Sequence, residues 1–302
     1  MQSTPNLSLK ADFVLLFVGI LAATGWLFSK FAIGGMPPMG YIAIRYIGAA
    51  VIIFPFAISQ LFKLSSSQLL TCLVVGLLQT CAMYFWIQAV DNSTQLGEGA
   101  FIMSLSLIMV PFLIRLLFGT KIDRLTLYAL PFAVGGIALL AIKGSWQFEM
   151  AQLLYLTATL FFALHFIYTS RFSRDIPAMV TTFMMLLVPG VISAGISYSV
   201  ESWPVAIAPE FWWWVVAAVV LSTSLRYFLY TWALKHSEPS HAALLMILEP
   251  VWTAVMSVIW LGEILTEQKV LGCVLILTAL VISRWNVIKK PSTVQTAELL
   301  RE

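Results

Sequence analysis

The sequence predicts an all-α membrane protein, with ten transmembrane helices built as a 5+5 inverted repeat and both termini cytoplasmic. Three observations carry that prediction. First, 60% of the 302 residues are apolar and only 10% are charged, against roughly 45–50% and about 25% in an average soluble domain. Mean hydropathy is +0.93, and 17 basic with 14 acidic side chains cannot coat a soluble surface of this size. Most of the surface must therefore meet lipid. Second, the apolar residues fall into ten runs, each of about 20 residues, the length that spans a bilayer as a helix. Third, segments of the first half recur in the second.

The runs cover residues 11–33, 39–61, 69–90, 96–118, 125–143, 151–171, 177–199, 210–234, 241–261 and 268–288. Lipid offers no partner to an unpaired backbone group, so each run should be helical. Turn and polar residues punctuate them, as at Gly34-Gly35-Met36-Pro37-Pro38, Ser65-Ser66-Ser67, Asp91-Asn92-Ser93, Lys143-Gly144-Ser145, Ser173-Arg174-Asp175 and Ser237-Glu238-Pro239. The first run follows Lys10 and carries Ala22-Ala23-Thr24, which resembles a cleavage site. It continues through Trp26, Leu27 and Phe28, so it reads as a span and not as a secretory signal.

Orientation follows from basic residues. Lys10, Lys63, Lys121, Arg124, Arg171, Arg174, Lys235, Arg284, Lys289, Lys290 and Arg301 fall at the termini and the even-to-odd loops, with Arg115 near the same side. The opposite loops hold Lys30, Lys143 and Lys269. The termini are therefore expected in the cytoplasm of a bacterial cell, and the chain in its inner membrane.

Ala89-Val90-Asp91-Asn92-Ser93 corresponds to Ala233-Leu234-Lys235-His236-Ser237. After a one-residue slip, Leu117-Phe118-Gly119 corresponds to Trp260-Leu261-Gly262. Expected units are 1–145 and 146–290, followed by a cytoplasmic tail at 291–302. Five spans is an odd number, so the second unit enters from the opposite face, a plan that places binding sites near the midplane. At constant offset, Arg226 and Glu249 answer to Ala82 and Leu105.

Several functions are disfavoured. Cys72, Cys81 and Cys273 lie inside apolar runs with no CxxC spacing, which argues against a disulfide framework or zinc site. The small net charge of +3 suggests no nucleic-acid partner. There is no GxxxxGK[ST] sequence for ATP. No metal or other cofactor is expected, and oligomeric state is left open.

Specific short stretches resemble the EamA-type branch of the drug/metabolite transporter superfamily over about residues 11–288. They are Thr24-Gly25-Trp26-Leu27-Phe28-Ser29-Lys30, Pro37-Pro38 leading to Ile44-Arg45-Tyr46, Leu248-Glu249-Pro250-Val251, and Leu261-Gly262-Glu263-Ile264-Leu265-Thr266 with Gly272. The first half departs from the pattern, with Gly119-Thr120 where the second has Gly262-Glu263, and no Glu-Pro in span 4. The resemblance implies transport of small molecules, often export of amino acids or related metabolites. Other members carry nucleotide sugars, phosphorylated sugars or drugs.

Ionisable groups inside spans are costly, about 2.5–3.5 kcal/mol at a helix centre on insertion scales, so each is a candidate. Arg226 in span 8 and Glu249 in span 9 sit at similar depth. They form either a static pair or an anchor in which Glu249 holds or releases an Arg226 that grips substrate carboxylate or phosphate. Arg45 either snorkels or meets Glu98 across the cavity as a gate, and Lys30 either snorkels outward or joins that gate. His165 with Tyr168 on its face is either a hydrogen-bonded structural histidine or a proton carrier. Tyr84 and Gln88 in span 3, with Arg226 and Tyr230 in span 8, are candidate walls of a cavity for an amphipathic metabolite. Trp212-Trp213-Trp214 reads as an interfacial belt, and Glu263 with Glu267 as a solvated pair.

The leading expectation is a secondary transporter, an exporter working by alternating access, coupled to a solute gradient, an exchanged solute or protons. A lipid or polyprenyl-phosphate flippase is the alternative. An intramembrane enzyme is disfavoured, since the chain has no DxxD, HExxH or GxSxG sequence.

Overall fold

The computed structural model describes residues 5–119, 121–122, 124–141, 149–173, 175–234 and 245–289. Lys143, Lys235 and His236, which entered the charge and repeat arguments, lie outside them. The described secondary structure is helical throughout. The helices are α1 (Pro5–Ile33), α2 (Pro38–Leu61), α3 (Ser66–Asn92), α4 (Leu96–Ser104), α5 (Ser106–Phe118), α6 (Arg124–Ala141), α7 (Met150–Phe172) and α8 (Ala178–Val200). They continue with α9 (Pro209–Ala217), a π-helical stretch (Ala218–Leu225), α10 (Arg226–Leu234), α11 (Glu249–Leu261) and α12 (Glu267–Lys289).

Seven runs are long and apolar enough to cross a membrane: Lys10–Ile33, Pro38–Leu61, Ser66–Asn92, Leu96–Phe118, Met150–Phe172, Ala178–Val200 and Pro209–Tyr230. Arg124–Leu140 and Leu245–Leu261 are shorter apolar helices. The chain is thus an α-helical, multi-pass membrane protein. Large apolar side chains point outward without protein cover, among them Phe62 at 82% exposure and Leu116 at 80%. On a soluble protein such a surface would aggregate; here it is the lipid face.

Local sequence explains the boundaries. Ser65 and Gln68 form a capping box at the start of α3, and Glu149 with Gln152 forms one at α7. Pro37 and Pro177 occupy the N-caps of α2 and α8, where the missing N–H costs nothing. α5 and α11 each end on a left-handed glycine, Gly119 at φ 72° and Gly262 at φ 64°. A side chain at either position would be strained.

Two breaks interrupt the helices in the same way. α4 ends at Leu105 (φ −63°, ψ −16°), and the helix entering α11 breaks at Leu248 (φ −77°, ψ −9°). In packing, α2 lies on α8, α6 on α12, α3 on α7 and α8, and α4 on α11, while α1 meets α9, the π stretch, α10 and α11. α6 and α12 cross at Gly136 and Gly272, where a Cβ on Gly136 would lie 2.8 Å from the Gly272 carbonyl. Small residues let membrane helices approach this closely.

Candidate functional site

A cavity of about 500 Å³ opens among the helices, walled by α1, α2, α3, α4, α5, α7, α8, the π stretch, α10, α11 and α12. Its size suits a small molecule. Trp26, Tyr46, Met83, Trp86 and Phe162 supply apolar wall, and Arg45, His165, Arg226 and Glu249 supply ionisable groups. Trp26 stands edge-on to Trp86 with ring centres 5.3 Å apart.

Arg45 is buried at 7% exposure, so it does not snorkel. Its Nε donates to Thr223 Oγ1 (2.9 Å), Nη1 to Ser29 Oγ (3.0 Å) and the Tyr41 hydroxyl (3.3 Å), and Nη2 to Ser222 Oγ (3.4 Å). The π stretch builds half of this cradle. Ser222 and Thr223 both donate to the Ala218 carbonyl, at 3.1 and 2.8 Å, and Ser224 donates to Val219 at 2.8 Å. Hydroxyls here satisfy carbonyls that a π-helix leaves poorly aligned, a pattern frequent at functional sites.

The expected Arg45–Glu98 gate does not form. Glu98 instead makes an ion pair with Lys269 Nζ at 2.9 Å, while Gln152 donates to its other oxygen and Lys269 also reaches Gln95. The first turn of α12 brings Lys269 closer to Glu98 than α2 brings Arg45, a placement that sequence spacing cannot reveal. Lys30 is neither free nor part of a gate. Its Nζ donates to the carbonyls of Val90 (2.7 Å), Asp91 (3.2 Å) and Ser93 (2.7 Å), closing the C-terminus of α3.

Arg226, Tyr230, His165 and Glu249 line the cavity. Arg226 and Glu249 act on one another electrostatically, yet no direct ion pair within 4.0 Å joins them among the described residues. Arg226 also sits 5.3 Å from the Tyr227 ring centre. His165 Nδ1 lies 3.1 Å from the Val75 carbonyl. A carbonyl only accepts, so Nδ1 carries the proton and pins α7 to α3.

Tyr84, Gln88 and Tyr168 do not reach the cavity. Tyr84 is exposed and packs edge-on to Phe85, and Tyr168 packs on Phe172. The cavity face of α3 is Gln79, Met83 and Trp86. At 100° per residue, Tyr84 and Gln88 fall on the opposite side. Nor is Glu263 solvated: it is buried, and its carboxylate accepts from the backbone N–H of Leu96 (2.5 Å) and Gly97 (3.3 Å), capping α4. Sequence reasoning missed Ser29, Tyr41, Ser222 and Thr223 around Arg45, and it gave no site role to Gln79 or Thr169. The last two line the cavity with buried oxygens that have no protein partner. The signal available was the Ser222-Thr223-Ser224 run inside an apolar span.

A model of the EamA-like transporter family matches the chain twice, over residues 9–142 and 149–285. The chain belongs to this family. EamA proteins form part of the drug/metabolite transporter superfamily, so this EamA chain is a membrane transporter. It is 24% identical over 282 residues to an uncharacterized transporter of Archaeoglobus fulgidus, covering 91% of this chain and 85% of the relative. A crystal structure at 16% identity superposes with a TM-score of 0.64 over 92% of this chain and 98% of the other. That likeness is one of fold.

Proposed function

We propose that this protein exports small amphipathic metabolites, amino acids or related compounds, across the bacterial inner membrane by alternating access. Ten helices would form two inverted five-helix units around the cavity. One observation carries this reading: the cavity walls correspond between the halves. Met103, Ser104, Ser106 and Leu107 line it in the first half; Met246, Ile247, Glu249 and Pro250, each 143 positions later, line it in the second. Gln79, Met83 and Trp86 are matched, 144 positions on, by Thr223, Tyr227 and Tyr230. Ala22, Gly25 and Trp26 are matched, 140 positions on, by Phe162, His165 and Phe166.

The packing supports the same exchange. α3 on α7 has its mate in α1 against the segment from α9 to α10, and α2–α8 and α6–α12 are pairs that exchange with themselves. The equivalent breaks at Leu105 and Leu248 make Ser106 the counterpart of Glu249, replacing the Leu105 expected at constant offset.

Orientation is supported by two of the three cations expected outside, since Lys30 and Lys269 are both consumed by internal bonds. That leaves the positive charge bias toward the termini. The cavity runs from Arg45, in the first third of α2, toward Ser170 and Tyr230, near helix ends expected in the cytoplasm. An exporter loads in that state. With Glu98 held by Lys269, Glu249 and His165 are the remaining proton carriers for coupling.

Reconstitution in proteoliposomes tests the reading. Saturable solute flux and counterflow are expected, with transport by Arg226→Lys and Glu249→Gln reduced at normal expression. Full transport in both variants removes that pair from the mechanism, and lipid scrambling without solute flux sinks the reading as a whole.

A further inference from the structure

We infer that Arg45 is the anchor for a substrate carboxylate, and that the substrate is an apolar monocarboxylate bearing one net negative charge. This rests on the transport reading and, within it, favours related compounds that carry a carboxylate without an ammonium over the amino acids themselves. The partners of Arg45 are all neutral. Ser29, Tyr41, Ser222 and Thr223 surround the guanidinium, and no carboxylate lies within 4.0 Å of it among the described residues.

The hydroxyls are committed elsewhere as donors. Ser29 Oγ donates to the Gly25 carbonyl at 2.5 Å, and Ser222 and Thr223 donate to Ala218. Only their lone pairs face Arg45, so they orient the guanidinium without neutralising it. The rings of Tyr41, Tyr46 and Trp86 stand 5.9, 5.9 and 6.0 Å from its central carbon, at the outer reach of cation–π attraction. A buried cation with no counter-ion is costly unless something supplies the charge.

Geometry leaves a place for that charge. A guanidinium has five N–H donors, and four are engaged here, the Nη2 contact to Ser222 being the longest at 3.4 Å. One Nη2 donor remains. It borders Gly25, where a Cβ would lie 3.3 Å from Nη2 and 3.1 Å from Ser222 Oγ. Glycine keeps that approach open, and Arg45 lines the cavity from which a ligand would come.

Charge balance sets the ligand's valence. The cavity holds Arg45, Arg226 and Glu249 with His165 beside them. Among the described residues Glu249 is the one carboxylate lining the cavity and offsets one of the two guanidiniums, so one positive charge is left over when the imidazole is neutral. One carboxylate neutralises the site; a dianion overshoots, and a cation or zwitterion leaves it charged. Trp26, Met83, Trp86 and Phe162 provide apolar walls for the body of the molecule. Gln79 Oε1 and Thr169 Oγ1, buried and unpartnered at the same cavity, independently indicate a polar occupant.

The test titrates purified protein with 3-phenylpropionate and 4-methylpentanoate, each beside its primary amide, with L-phenylalanine as zwitterion and phenethylamine as cation. Quenching of tryptophan fluorescence reports occupancy beside Trp26 and Trp86. Saturable binding of the acids is expected, with the amides at least about tenfold weaker. Arg45→Gln should lower acid affinity to the amide level and leave amide affinity unchanged, with Arg45→Lys intermediate. Should Arg45→Gln fail to fold, Glu249→Gln serves, because removing the one cavity carboxylate should tighten acid binding. Equal binding of acid and amide, undiminished acid binding by Arg45→Gln, weaker acid binding by Glu249→Gln, or no saturable acid binding would each overturn the assignment. Counterflow of phenylalanine or phenethylamine with no carboxylate flux would overturn it while preserving transport, whereas the absence of any solute flux removes the transport reading beneath it.

Discussion

Lys30 and Glu98 show how a membrane interior uses charge when it cannot hydrate it. The Lys30 ammonium closes three carbonyls at the end of α3, where a helix end leaves such groups without intrahelical partners. Lys30→Met should lower stability by about 2–4 kcal/mol, read as a drop in thermal unfolding temperature in detergent. Lys30→Arg should recover part of it; an unchanged unfolding temperature in Lys30→Met would show that the three bonds contribute little. The Glu98–Lys269 pair is buried on both sides. Removing one partner leaves a stranded charge, so Glu98→Gln should cost about 3–5 kcal/mol. The double variant Glu98→Gln with Lys269→Met should cost less than Glu98→Gln alone, and a double-mutant cycle in detergent measures the coupling.

At the scale of elements, the π stretch in span 8 is the feature that makes the two halves chemically different. Its counterpart segment in α3 is regular α-helix, and its extra turn width presents Ser222 and Thr223 to Arg45. Thr223→Val removes the acceptor for Arg45 Nε together with the bond to Ala218. A stability loss of about 1–2 kcal/mol is expected, accompanied by reduced transport. Thr223→Ser keeps both bonds and should transport normally; if Thr223→Val does too, the cradle has no functional part. Both the α4–α5 break and the Leu248 break lie directly beside cavity-lining residues. Such irregular backbone within the membrane is tolerated where it lines a cavity or is covered by protein.

For the whole molecule, the proposed topology and state can be read by thiol labelling. Cys72, Cys81 and Cys273 are first replaced, since they are the native thiols. Lys63→Cys, in the exposed turn after α2, should react with an impermeant reagent only from the cytoplasmic side. Tyr198→Cys, at 92% exposure near the far end of α8, should react only from outside. Phe166→Cys lines the cavity and should label from the cytoplasmic side, with bound solute slowing the reaction. The reverse sidedness would invert the proposed orientation.

What the sequence determined by itself was what solvent and repetition dictate. Apolar runs of bilayer length, broken at Ser65, Pro37 and Gly262, foretold helices and their ends, because lipid forces every backbone group to be satisfied within its own segment. The corresponding endings Phe118-Gly119 and Leu261-Gly262 likewise became matching left-handed caps. That Arg226, His165 and Glu249 needed an explanation was also legible, since an ionisable group in a span is costly; that they line one cavity is seen only in the structure. The tertiary structure alone decided which charge meets which. Helical periodicity fixes a residue's face but not the neighbour that face receives, so Tyr84 and Gln88 turned away from the cavity. Glu98 found Lys269 across more than half the chain. Arg45, expected either to snorkel or to meet Glu98, sits among hydroxyls, two of them delivered by a π-helix that no apolar pattern announces.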